Sequence, residues 1–339
     1  MKKKNSSRCW LFLIVTAILL PIFTHYYIAL FTPPGTDTTP VMVEFPQGVS
    51  FYQIAKSLEE KGIVRNFEDI TLLARLRGTT KKIKAGEYEF NLAMRPFDVL
   101  AKLEKGLVVK HPVTIPEGYN IRDVADLLDK KGLSKREQFI ARASDKGFLL
   151  SVGIEAATAE GFLFPDTYQF FKGMTEETMI AAMVSRFREL FPTELEKEAR
   201  GDGLSIIEVV TLASIVEKET GVAKERPRIA AVLINRLKKS IPLQSDPTVI
   251  YGIKEFSGNL TKKDLLTDTP YNTYRRKGLP VGPISNPGID SIRAVLYPEN
   301  VDYIYFVSKN DGTHHFSKTL SEHNKAVYHY QIAARRRKK

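Results

Sequence analysis

Two glutamates, Glu217 and Glu219, stand two positions apart near the end of the segment Leu212–Gly221 (LASIVEKETG), and they are its residues best suited to acid–base chemistry. Ile207, Val210 and Ile215 give this stretch an apolar side at helical spacing. At roughly 100° per residue the two carboxylates point about 200° apart, so they cannot both face one cleft. Glu219 falls in the last turn, just before Gly221. A carboxylate there meets the negative end of the helix dipole, which disfavours its ionised form, and aromatic burial would add to the effect. A glutamic acid still protonated near neutral pH is what protonation of a glycosidic oxygen needs. A solvated helix end, with Lys218 between the two acids, accounts for the same residues. Glu219 is favoured on this ground, and Glu217 stays open.

The following helix carries Asn235 and Arg236, and LQSDPTVIYG comes next at 243–252. Asp246-Pro247 reads as a helix start, Asp as N-cap and Pro at the first helical position, which leaves Gln244 and Thr248 to face a cleft. Tyr271, Asn272 and Tyr274, from the run YNTY, bring an amide, hydroxyls and stacking faces together, the chemistry of a sugar-binding groove. GLPVGP at 278–283 and NPG at 286–288 would hold such a groove rigidly. Four of the six histidines, His314, His315, His323 and His329, fall within sixteen residues. No HExxH spacing, carboxylate or cysteine completes a ligand set around them, so no metal is expected. No phosphate-binding glycine loop, GxSxG elbow or dinucleotide fingerprint occurs, and no cofactor is expected. The single cysteine, Cys9, excludes an internal disulfide.

The elements that position these residues begin with an apolar run. From Trp10 to Phe31 there is no Asp, Glu, Lys or Arg. As a helix this run reaches about 33 Å, enough for a bilayer core of about 30 Å, although Pro21 and His25 interrupt it. Lys2, Lys3, Lys4 and Arg8 precede it, which places residues 1–9 in the cytoplasm, 10–31 across the cell membrane and the rest outside. The run is longer than a signal peptide's apolar region and lacks a small-residue cleavage site, so an uncleaved anchor is expected.

A linker at 32–40 (TPPGTDTTP) follows. PQGVSFYQIAKSLEEKG at 46–62 is then echoed, 70 residues on, by PEGYNIRDVADLLDKKG at 116–132. Phe51, Ile54, Ala55 and Leu58 in the first copy, and Ile121, Val124, Ala125 and Leu128 in the second, mark matching amphipathic helices. Strands at Val41–Phe45 and Ile83–Phe90, with a helix at Phe67–Arg77, complete a strand–helix–helix–strand module over 41–110. His111–Ile115, Lys135–Ala143 and Phe162–Phe171 supply the same order over 111–175. From 176 to 333 helices dominate, at Thr178–Leu190, Leu204–Thr220 and Lys224–Lys239. A long loop-rich stretch from Pro242 to Pro298, a strand at Val301–Val307 and a helix at Ser321–Ala333 close the region. The fold class is α+β.

Nine of the positive charges lie in tails free of acids, in residues 1–9 and in the basic tail 334–339, so the chain between them carries only +2 of the net +11. A nucleic-acid binder would carry its basic patch on the folded part, and no nucleic-acid partner is expected. The tails suit anionic lipid or a polyanionic envelope polymer, or are simply solvated.

SIVEKETGVAKERPRIAAVLINRLKKSIPLQSDPTVIYG, TPYNTYRRKGLPVGPISNPG and HHFSKTLSEHNK, with GFLFPDTY at 161–168 and KAGEYEF at 84–90, resemble the endolytic murein transglycosylase (YceG-like) family over most of the chain. The resemblance implies a LysM-like module after the membrane helix, and a lyase that cuts the β-1,4 bond between N-acetylmuramic acid and N-acetylglucosamine within peptidoglycan strands. It implies Glu219, the second Glu of EKET, as the catalytic acid/base. Peptidoglycan glycan strands and peptidoglycan synthases are the implied partners. Gln244, Asp246, Thr248, Tyr271, Asn272 and Tyr274 are the substrate-side candidates. His314 and His323 match the family's histidines and receive no role.

Overall fold

The computed structural model describes residues 4–192, 195, 197, 199, 203–253 and 256–333; the basic tail at 334–339 lies outside them. The described residues form helices and three two-stranded sheets, and the chain divides into two compact units: residues 1–111 with 169–174, and residues 112–168 with 175–339.

In the first unit, α1 (Lys4–Phe31) is one continuous helix through Pro21, and its 22 residues from Trp10 to Phe31 are long and apolar enough to cross a membrane. Its last turn rests on the module that follows: Leu30 is buried, and Phe31 stacks on Phe97 with ring centres 5.1 Å apart. β1 (Val41–Phe45) pairs antiparallel with β2 (Gly86–Phe90), Val41 opposite Phe90 and Phe45 opposite Gly86. Between them run α2 (Phe51–Glu60) and α3 (Phe67–Leu76). Ser50 and Gln53 form a reciprocal cap on α2, so the helix begins where the apolar period begins. Phe51, Ile54, Ala55 and Leu58 are its buried face, packed with Val43, Phe45, Ile70, Tyr88 and Phe90. The sequence pattern passed over α4 (Pro96–Glu104), which starts with a proline at its first position and adds Val99, Leu100 and Leu103 to this core. The returning strand begins only at Gly86, later than the sequence implied. There φ is +147°, and a Cβ would lie 2.6 Å from Val108 Cγ1.

The second unit takes up the chain within β3 (His111–Thr114), which pairs with β4 (Thr167–Phe170). α5 (Ile121–Lys130), capped reciprocally by Asn120 and Asp123, buries Ile121, Val124, Ala125 and Leu128, the positions that match α2. α6 (Arg136–Arg142) and a short α7 (Lys146–Ser151) follow. Residues 161–166 are not strand. Gly161 has φ +88°, Pro165 lacks an N–H, and the Gly161 and Leu163 N–H groups donate to the Asn286 side chain (both 2.9 Å) instead of to a ladder. An unbroken apolar run is compatible with either arrangement, which is why it reads as a strand.

After α8 (Glu176–Leu190), α9 (Ile206–Glu219) is the core helix of the unit. Every residue from Val209 to Val216 is buried, more than the one-sided stripe of the sequence pattern, because α10 (Arg226–Lys238) and α13 (Ile289–Leu296) both pack on it. The loop-rich stretch also holds α11 (Asp246–Gly252) and α12 (Lys262–Leu266). β5 (Tyr305–Ser308) and β6 (His314–Ser317) form an antiparallel pair, Tyr305 opposite Ser317. β5 starts later than the apolar run does. The carbonyls of Val301, Tyr303 and Ile304 accept from the Asn235 and Arg236 side chains of α10 (2.7, 3.0 and 2.7 Å). The closing helix is α14 (Leu320–Val327), continued as a π-helical turn from Tyr328 to Ala333.

Candidate active site

Glu219 is the last residue of α9; Thr220 turns to extended backbone and its N–H closes the helix on the Val216 carbonyl (3.3 Å). Ser245, the residue before α11, donates its hydroxyl to Glu219 Oε1 at 2.5 Å. Burial raises the Glu219 pKa above the ordinary carboxylate range. The Ser245 hydrogen bond opposes the rise, the nearby Asp246 carboxylate adds to it, and His314 and Arg236 oppose it.

Glu217 points elsewhere, as the spacing requires. Its side chain is 7 % exposed and meets Arg226 Nη2 at 3.3 Å through Oε1. Oε2 accepts from the Gly288 N–H (3.0 Å) and the Ser291 hydroxyl (2.7 Å), at the N-terminus of α13. This carboxylate joins α9, α10 and α13 and is fully occupied in doing so.

Among the substrate-side candidates, Gln244 is exposed, with left-handed backbone (φ +50°) and its N–H donated to the Thr273 carbonyl (3.2 Å). Asp246 is exposed and accepts from the Tyr274 hydroxyl (2.6 Å). The cap of α11 is Ser245 rather than Asp246, one residue earlier than the Asp-Pro pair implies. Thr248 is buried and shares its hydroxyl with Thr273 (2.8 Å) and the Ser245 carbonyl (2.7 Å). Asn272 is 0 % exposed; its amide donates to the Leu265 and Thr267 carbonyls (3.0 and 2.7 Å), and its Oδ1 accepts from the Tyr274 N–H (2.9 Å). Tyr271 is half-buried and packs edge-on against Tyr251, ring centres 4.7 Å apart. Gln244, Asp246, Tyr271 and Tyr274 therefore keep exposed surface, while Thr248 and Asn272 fasten the loops that carry them.

Arg236 is held by the Ile304 and Leu243 carbonyls (2.7 and 2.8 Å) and lies 5.3 Å from the Tyr305 ring centre. The four histidines disperse. His314 pairs with Glu225 through Nδ1 (2.7 Å), His323 stacks on Tyr305, and His315 and His329 both lie against Tyr330. Among the described residues no group of His, Cys, Asp and Glu is arranged to hold a metal ion. The sequence reading passed over Ser245 and Glu160. Ser245 adjoins the Asp-Pro pair, and Glu160 is a lone acid in the apolar stretch AATAEGFLF; those were the available signals.

The family model for the YceG-like family matches residues 43–329. The chain belongs to the YceG-like family. A relative from Bacillus subtilis, named an endolytic murein transglycosylase, is 33 % identical over 89 % of this chain and 88 % of its own length. A Streptococcus pneumoniae protein of the same name is 30 % identical over 85 % of this chain, which spans 58 % of that longer protein. The crystal structure of a yceG-like protein from Listeria monocytogenes aligns with a TM-score of 0.58 at 35 % identity, covering 86 % of this chain and all of that one.

Proposed function

We propose that this YceG-like chain is a membrane-anchored endolytic peptidoglycan transglycosylase, a lyase with Glu219 as its single acid/base. The observation that carries this reading is the Glu219 carboxyl at the end of α9, desolvated, with a raised pKa and held by Ser245. Such a group is biased towards its protonated form, and as the acid it can protonate the oxygen leaving C1 of N-acetylmuramic acid as the C1–O bond breaks. The resulting carboxylate then takes the proton from the C6 hydroxyl of the same sugar while that oxygen bonds to C1. The products are a 1,6-anhydro end and a free N-acetylglucosamine 4-hydroxyl, and Glu219 regains its proton. Gln244, Asp246, Tyr271 and Tyr274 line the glycan path, and Thr248 and Asn272 hold it in shape.

The relatives' names and the apolar helix support a fuller picture. Residues 10–31 anchor the chain in the cell membrane with its N-terminus cytoplasmic. A LysM-like module at 41–110 and a second related module or linker at 111–175 carry the catalytic domain, 176–333, to nascent strands beside the peptidoglycan synthases. Asp246 lies close enough to raise the Glu219 pKa, so a water-using hydrolase with Asp246 as base is the second reading. Mass spectrometry of the products of purified strands separates the two, since anhydro ends are expected and reducing ends alone would establish hydrolysis. Glu219→Gln is expected to lower cleavage at least about 10³-fold; cleavage at the wild-type rate would remove Glu219 from the mechanism.

A further inference from the structure

Glu160 is 2 % exposed, and the mechanism makes no use of it. Its carboxylate accepts from the Tyr251 hydroxyl (2.7 Å), the Ile121 N–H (3.1 Å) and Asn286 Nδ2 (3.3 Å). Tyr251 belongs to α11, the short helix whose other end brings Ser245 to Glu219 and Asp246 to Tyr274. The Tyr251 ring meets Tyr271 on one side. Arg122 lies 5.1 Å from its centre and donates to the Tyr251 carbonyl (2.8 Å). Glu160 is thus bound to the far end of the element that holds the Glu219 carboxyl.

We infer that Glu160 is a positioning residue: as a carboxylate it fixes Tyr251, and through α11 it fixes Ser245 and Asp246 against Glu219. The inference rests on the placement of the acid/base at Glu219 proposed above. Its physical basis is the direction of the hydrogen bonds. Ile121 N–H and Asn286 Nδ2 can only donate, and Asn286 Oδ1 is already taken by two backbone N–H groups. A protonated Glu160 brings a hydroxyl that needs an acceptor. Only the Tyr251 hydroxyl can reverse to supply one, and the charge-assisted bonds that Tyr251, Ile121 and Asn286 make to the carboxylate then become weaker neutral ones.

The setting puts this exchange in a working pH range. Burial pushes the Glu160 carboxyl up to about 7, against the opposing pull of Tyr251, Ile121 N–H and Arg122, with Asp123 adding to the rise. Tyr251 and Tyr271 are both held above the ordinary tyrosine range by burial, so neither ionises first. Above about pH 7 the carboxylate holds α11, and below it the hold weakens. Cleavage by wild type therefore carries a rising limb set by Glu160.

The test is the pH dependence of strand cleavage by the full-length protein in detergent, between pH 5 and 9. Glu160→Gln cannot ionise, and it is expected to abolish the rising limb and to leave cleavage at pH 8 about tenfold below wild type. Tyr251→Phe removes one oxygen and the same link, and is expected to give the same loss. The double variant should be no slower than either single one. A rising limb retained in both single variants, or multiplying losses in the double variant, would overturn the inference. If Glu160→Gln does not fold, Tyr251→Phe alone tests the inference, and a rising limb retained in it would overturn it. The limb is read on bond cleavage whatever the product, so hydrolysis in place of anhydro formation would refute the proposed reaction and leave this result interpretable.

Discussion

Glu217→Ala and Glu219→Gln should have opposite consequences although their sites are two residues apart. Removing the Glu217 carboxylate deprives the Gly288 N–H and the Ser291 hydroxyl of their acceptor and Arg226 of its most buried partner. The Arg226 side chain is 10 % exposed, and it keeps Glu117 at 3.4 Å and Asp290 at 3.6 Å, so its charge is not left alone. Hydrogen bonds to a charged group contribute about 1.5–3 kcal/mol each, and breaking a buried ion pair costs about 3–5 kcal/mol. With two acids remaining beside Arg226, the expected loss is about 4 kcal/mol. For a unit of this size that lowers the melting temperature by roughly 10 °C. Glu219→Gln replaces a carboxyl that burial already pushes towards its neutral form, so the melting temperature at pH 8 should hold or rise while cleavage disappears. Thermal unfolding followed by circular dichroism, with products quantified by chromatography, measures both. If Glu217→Ala melted like the wild type and cut nothing, the roles assigned to the two glutamates would be reversed.

Stability should also depend on pH through Glu160. Its folded-state pKa is raised from 4.5 to about 7, so the folded chain binds more protons than the unfolded chain between these values. Stability from this group is therefore present below about pH 4.5 and is lost as pH rises through 7, by about 3 kcal/mol in all. Urea unfolding at pH 5 and pH 8 should show this difference in the wild type and not in Glu160→Gln; an equal change in both would refute it. Gly161→Ala places a methyl group 2.5 Å from Val210 Cγ1 and 2.7 Å from Pro283 Cγ on backbone with φ +88°. A loss of about 2–4 kcal/mol is expected in the same unfolding assay, and a change below about 0.5 kcal/mol would contradict the close packing of this turn on α9.

The repeat was legible because α2 and α5 each bury one face, so a residue every third or fourth position records what the fold does with it. The core helix α9 was legible as a helix but not as a buried one. Thr211 and Ser214 look like polar outer positions, yet each turns its hydroxyl back to a carbonyl of its own helix, Ile207 and Thr211 respectively. In the loop-rich stretch, structure comes from side chains that bind backbone at a distance. Asn272 takes three carbonyls at and just past the end of α12, and Asn286 joins residues 119, 161 and 163. Such bonds follow no period, so α12, α13 and the turn at 161–166 had no pattern to read, and α11 showed only its Asp-Pro start. Glu219 was favoured from its place at a helix end. Its partner Ser245 is contributed by a separate loop 26 positions away, a pairing that only the fold makes visible.

The partners of the two glutamates differ in a way that bears on chemistry more than their burial does. Glu217 is met by a backbone N–H, a guanidinium and the Ser291 hydroxyl, three donors from two other helices, so its carboxylate is spent on joining them. Glu219 is met by a hydroxyl, which donates to a carboxylate and can turn to accept from a carboxylic acid. A group that must give up a proton and recover one in the same turnover needs neighbours that tolerate both states. Strong fixed donors would hold it ionised, and an apolar wall alone would hold it neutral. Burial and the dipole of α9 favour the acid at Glu219, while Ser245 limits that bias without fixing either state. A lone carboxylate set between these influences can serve as acid and then as base with no second carboxylate to share the work, which is the requirement of an intramolecular attack by a sugar hydroxyl.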